Sequence, residues 1–96
     1  MGSPVIRLGA DVSTGHDGYF PVVATAASGN VFVNGLGVVR HGDPYQPHDR
    51  KDDPPHTGTA TSSSTVRVNG KPAQRAGDAN SCGDTASAGS KNVRFG

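Results

Sequence analysis

Residues 63–78 read SSTVRVNGKPAQRAGD, and much of the chain is a variation on them. Val66 and Val68 stand two apart, so in an extended chain both face one side while Arg67 faces the other. Asn69-Gly70 follows, the strongest short hairpin signal, because a type I′ turn needs positive φ at both central residues. Lys71 to Arg75 then reads as the return strand and runs into an Arg-x-Gly-Asp sequence at Arg75, Gly77 and Asp78.

Two further copies surround this one. Ser28 to Gly35 carries Val31, Val33 and Asn34-Gly35, with a return strand from Leu36 to Arg40 that leads into Gly42-Asp43. Ser90 to Gly96 carries Val93 and Phe95, and its return strand lies at the other end of the chain, where Pro4 to Asp11 matches Lys71 to Asp78 with one residue inserted between Gly and Asp. The third hairpin is thus split between the termini, and the strand at 4–8 is expected to pair with the strand at 91–95. Val31/Val33, Val66/Val68 and Val93/Phe95 should face inward, and Phe32, Arg67 and Arg94 outward. Three units closed in this way predict an all-β, pseudo-threefold fold of three short β-hairpin repeats, with no free sheet edge between the first and last copies. The spacing from Val31 to Val66 is 35 residues and from Val66 to Val93 is 27, and the extra length falls in 44–58, PYQPHDRKDDPPHTG. Its charge run, Asp49 to Asp53, reads as a solvated loop.

Composition agrees with short strands and many turns. Gly, Pro, Ser and Thr make 37 of the 96 residues, and Leu, Ile, Val and Phe only 17. A net charge of only +1 argues against disorder, which needs self-repulsion as well as low hydrophobicity. All eight acids are Asp and Leu occurs only at positions 8 and 36, so strong helix formers are scarce and no long helix fits. That excludes bundles and doubly wound sheets. No apolar stretch reaches the ~20 residues of a membrane helix, so no integral membrane segment is expected, and the N-terminus lacks the apolar region of a signal peptide. A single domain over 1–96 without an extension domain is expected, with a thin core. Cys82 is the one cysteine and cannot form an intrachain disulfide, so a metal or an oligomeric partner has to brace the fold.

Each Gly-Asp is followed by a possible metal ligand: His16 after Asp11, His48 after Asp43, Cys82 after Asp78. His16-Asp17-Gly18 and His56-Thr57-Gly58 share a His-x-Gly pattern, so the repeats together nominate His16, His48, His56 and Cys82. Three imidazoles and a thiolate suit tetrahedral Zn²⁺ at about 2.0–2.3 Å with no position left for water, a structural site worth roughly 10 kcal/mol of folding free energy. The four residues have no fixed local spacing, and spacing alone leaves two readings open: a zinc site, or surface histidines and an inert buried cysteine. His41 aligns with Leu8 and Ala76 and reads as a half-buried packing residue. The Gly-Asp pairs read as structural, with Gly supplying an unusual backbone angle and Asp capping the turn. Arg7, Arg40 and Arg75 are expected to brace these loops through Arg–Asp contacts.

The repeated Val-x-Val-Asn-Gly, the Arg-x-Gly-Asp, the His-x-Gly and the late Ser81-Cys82-Gly83 together resemble the PAAR-repeat proteins, the tips of contractile injection spikes in type VI secretion systems and phage baseplates. The naming signature stands here as Pro72-Ala73-Gln74-Arg75, with Gln74 for the second Ala, and has drifted to Leu-Gly-Val-Val-Arg over 36–40. The likeness runs from Pro4 to Gly96. It implies a small cone-shaped fold with a structural zinc near its apex, one per chain, held by His16, His48, His56 and Cys82. His48 follows its Asp by five residues where Cys82 follows by four, and His41 lies nearby as the alternative ligand. The resemblance further implies that the base docks on a trimeric β-helical spike, a valine-glycine repeat protein or a phage central spike, with one copy per trimer. Pseudo-threefold symmetry in one chain suits such a threefold partner. The implied role is mechanical, with no catalytic residues, in a chain that waits in the bacterial cytoplasm before delivery or sits in a phage virion.

Two rival readings have less support. A zinc hydrolase would use three His and an open position for water, and without Glu it would depend on an Asp such as Asp17 or Asp84 as base. A nucleic-acid-binding module would rely on six Arg that are instead spread among eight Asp without a basic stripe, and on only five aromatic residues.

Overall fold

Asn34 and Asn69 take φ of 53° and 55°, and each is followed by a glycine near 80°, the paired positive angles of a type I′ turn. The computed structural model describes residues 2–16, 19–50 and 53–96, with the backbone alone for 48–50 and 53–55. The described strands are β1 (Ser3–Pro4), β2 (Phe32–Val33), β3 (Leu36–Gly37), β4 (His48–Arg50), β5 (Asp53–His56), β6 (Arg67–Val68), β7 (Lys71–Pro72) and β8 (Arg94–Phe95). The two Asn-Gly turns join β2 to β3 and β6 to β7 as antiparallel hairpins. The third hairpin is split as expected: β1 pairs with β8, Ser3 opposite Phe95, and Gly2 at φ 93° stands where Gly35 and Gly70 stand in the others. The chain ends meet closely here, since a Cβ on Gly2 would lie 2.5 Å from the Phe95 carbonyl oxygen.

The strand at 4–8 is shorter than the sequence suggests because beyond Val5, which still bonds Val93 and Ser90 of its own copy, the backbone turns to the neighbouring copies. The Ile6 N–H donates to the Gln74 carbonyl (3.1 Å), the Gln74 N–H to Val39 (2.9 Å), and the Val39 N–H back to Ile6 (3.0 Å), closing a triangle. Leu8, His41 and Ala76 repeat the pattern toward Gly37, Pro72 and Pro4, and bridges Val5↔Arg75, Arg7↔Val38 and Arg40↔Ala73 complete it. Three copies thus follow one another around a closed ring, and their inner backbone groups are hydrogen-bonded to one another.

Side chains fill the ring in two layers. Val5, Val38 and Ala73, all fully buried, pack with Val33 and Val68, while Val31, Val93 and Phe95 close over them half-buried. Phe32, Arg67 and Arg94 point outward, as the alternation requires. One residue further along each return strand, Ile6 and Val39 join a second cluster with Val22, Ala24, Tyr45, Ala60 and Ala86. The third residue of that layer is Gln74, fully buried and polar, whose bonds to Tyr45 and Asn80 satisfy it.

The Arg–Asp contacts form as expected in all three copies. Asp11, Asp43 and Asp78 each accept from the backbone N–H, Nε and Nη2 of Arg7, Arg40 and Arg75, and the preceding Gly9, Gly42 and Gly77 have positive φ. The carboxylate bonds hold the Arg7 and Arg40 guanidinium pKa above its ordinary value.

Three expectations are corrected. The segment expected to be a solvated loop is partly a fourth hairpin, in which β4 pairs antiparallel with β5. Consecutive N–H groups of a strand point to opposite edges, so one of Pro54 and Pro55 falls on the free edge of this two-stranded ribbon and the other is accommodated where the register shifts between His48 and Arg50. His41 is exposed rather than half-buried: it lies on the turn after the strand, and its Nδ1 accepts from the Ser62 N–H at 3.1 Å. Ser64, not Ser63, is the partner of Ser28 and Ser90. Its buried hydroxyl accepts from the Val66 N–H as theirs accept from Val31 and Val93. Among the described residues no helix is long and apolar enough to cross a membrane.

Candidate metal centre

Beyond the Arg–Asp loops the chain builds a second region from the described residues of 13–16, 19–24, 44–50, 53–60 and 79–86. His16 is fixed by a tight backbone exchange with Tyr19, the Tyr19 N–H donating to the His16 carbonyl (2.6 Å) and the His16 N–H to Tyr19 (3.2 Å). Gly15 permits this approach: at φ 76°, a Cβ there would meet the Tyr19 carbonyl oxygen at 2.5 Å. His56 ends β5, directly opposite His48 in the register of the hairpin. Cys82 sits on a turn closed by the Gly83 N–H to the Asn80 carbonyl (3.1 Å). The Ser81 N–H donates to the Thr59 carbonyl and its Oγ accepts from the Thr59 N–H, both at 2.9 Å, so the cysteine turn is clamped to the segment that follows His56.

These elements bring His16, His56 and Cys82 together, all half-buried, with one donor atom of each within 4.8 Å of the others. The two Nε2 atoms lie 3.0 Å apart. In a tetrahedral zinc site with N and S ligands, donor atoms stand about 3.3–3.6 Å from one another, so the two imidazoles would open slightly around an ion and the Cys82 Sγ, within 4.8 Å of both, would close on it. Gly58 explains the glycine of the His-x-Gly pattern here, because a Cβ at that buried position would lie 2.6 Å from the Cys82 Sγ.

Of the four nominated ligands the structure gathers three. The side chain of His48 lies outside the described residues. Exposed His41, the alternative ligand, is not in the group. Of the two Asp named for a hydrolase, Asp17 lies outside the described residues, and Asp84 is buried with Oδ1 accepting from the Thr14 hydroxyl (3.1 Å) and the Thr85 N–H (2.8 Å). Asp84 thereby ties the cysteine turn to the loop that leads into His16.

The residue that sequence reasoning missed is Tyr19. Its ring stacks on His56 with centroids 3.9 Å apart and planes 27° apart, and on His16 at 5.2 Å and 24°. No repeat copy supplies an equivalent aromatic residue, and the one available signal was its place three residues after a nominated histidine.

With this geometry established, comparison with known families gives one finding. A family model described as PAAR motif matches residues 13–88, a span that holds His16, His56, Cys82 and the β2–β3, β4–β5 and β6–β7 pairs. No curated protein matches the chain.

Proposed function

The chain belongs to the PAAR motif family, and from that membership we propose that it is a metal-braced tip that caps and sharpens a trimeric β-helical spike for envelope penetration. The observation that carries the reading is the closed triangle of backbone bonds among Ile6, Val39 and Gln74. One chain that repeats a contact three times around a ring can offer three similar faces to three identical subunits. The partner is a valine-glycine repeat spike of a type VI secretion system or a phage central spike, bound at one copy per trimer.

The metal is zinc, held by His16, His56 and Cys82, with His48 as the fourth ligand. Support for His48 is its register partner: it faces His56 across β4 and β5. Four protein ligands leave no open position, so the ion supplies bracing rather than catalysis. The need for such a brace follows from the small size of the two apolar clusters.

Two measurements test this. Metal analysis of the purified chain should give about one zinc per chain, and His48→Ala should lower that content as His56→Ala does; full zinc in the His48 variant would remove it from the ligand set. Mixed with a trimeric spike and examined by native mass spectrometry, the chain should bind once per trimer. Three bound copies, or none, would reject the capping role.

A further inference from the structure

We propose that Tyr19 is the positioning residue of the metal centre, acting through the faces of the two imidazoles rather than as a ligand. This rests on the zinc reading above and concerns how the ligand rings are held before and after the ion binds.

An imidazole coordinates along its Nε2 lone pair, which lies in the plane of the ring, so the rotation of that plane decides whether two histidines aim at one point. That rotation is a broad, soft torsion in an unrestrained side chain. Here three rings lie nearly parallel: Tyr19 on His56 at 27°, Tyr19 beside His16 at 24°, and His16 beside His56 at 23°. The nearest pair is Tyr19 and His56, at a centroid separation of 3.9 Å. Tyr19 is itself held by the two-way backbone exchange with His16, so one short segment delivers both a ligand and the surface that orients the second ligand.

Charge favours the same role. A metal-bound imidazole is electron-poor, and the phenol ring presents a negative π-face, so the stack strengthens when the ion is present. Partners that orient ligating histidines typically change metal affinity by 10–100-fold. The ring face, not the hydroxyl, carries this effect.

The test uses the full chain and two probes, Zn²⁺ affinity by competition with a chromophoric chelator and the visible spectrum of the Co²⁺-loaded chain. Tyr19→Leu should weaken Zn²⁺ binding about 10–100-fold and alter the tetrahedral Co²⁺ bands. Tyr19→Phe should restore both to within about threefold of the unmodified chain. Leucine keeps bulk at this half-buried position, so the metal-free chains should melt alike. Unmodified affinity and spectrum in Tyr19→Leu would overturn the inference, as would a Tyr19→Phe chain as weak as the leucine variant. An unmodified chain that holds neither ion would instead reject the metal centre itself, and this inference with it.

Discussion

The ring of hairpins and the cluster of His16, His56 and Cys82 are held by different means. In the ring, backbone bonds repeat from copy to copy, and Val5, Val38 and Ala73 are fully buried in its centre. At the cluster, three unrelated loops converge, the donors are half-buried, and the large apolar residue Phe20 is 63% exposed. Repetition lets each contact of the ring be made three times by one local rule, whereas the loops at the cluster share no rule and depend on a common ligand. The ring should therefore survive conditions that dissolve the metal end.

The largest effect should come from removing the ion. A structural zinc supplies roughly 10 kcal/mol in small domains, so chelation or Cys82→Ser should lower the thermal midpoint by tens of degrees. Hydrogen exchange locates the loss: the amides of Ser13, Asn80 and Ala86 should lose protection first, those of Ile6, Val39 and Gln74 last. Simultaneous loss at both sets would show that the two regions are one cooperative unit and would break the distinction.

The converse change is Val38→Ala, which removes two buried methyl groups from the ring and should cost about 2 kcal/mol. Its metal-free and zinc-loaded forms should be destabilised equally, with zinc affinity unchanged. A parallel fall in zinc affinity would mean that ring packing reaches the cluster. Gly58→Ala is the matching change at the other end. The added methyl group would sit 2.6 Å from the Cys82 Sγ, and such overpacking costs about 1–3 kcal/mol. Calorimetry should find the loss in the zinc-loaded chain alone.

The same contrast explains what the sequence revealed. The Asn-Gly turns, the inward valines and the split third hairpin could be read because each appears more than once, and because a type I′ turn and a period of two are local properties. Ser64 was misplaced by one position since Ser62, Ser63 and Ser64 offer three hydroxyls and only packing selects one. The β4–β5 hairpin was hidden by prolines and charges that suit an isolated ribbon as well as a loop. His16 and Cys82 could be nominated by their place after the Arg–Asp loops and His56 by the His-x-Gly pattern it shares with His16, but their convergence depends on how the three loops cross. Tyr19 had only its nearness to His16 to mark it, since stacking is a tertiary contact with no spacing rule behind it.

The smallest expected effect concerns the link between the two regions. Tyr45, 2% exposed, donates its hydroxyl to Gln74 Oε1 at 2.6 Å, and Gln74 Nε2 donates to Asn80 Oδ1 at 2.8 Å, at the base of the cysteine turn. Gln74 stands where the other copies have Ile6 and Val39, so this polar chain exists in one copy of three. Tyr45→Phe leaves Gln74 Oε1 without its donor and should cost about 1 kcal/mol at neutral pH. Burial pushes the Tyr45 phenol pKa well above its ordinary value of 10.0. The folded chain therefore keeps a proton that the unfolded chain releases near pH 10, so the stabilisation is whole below that pH and declines as pH rises above it. Denaturant melts of the two chains between pH 8 and about 11 should show the advantage of Tyr45 shrinking only in the upper part of that range. An advantage that stays constant with pH would mean that the hydroxyl is not held neutral by the fold, and that Tyr45 does not extend the polar link between Gln74 and Asn80.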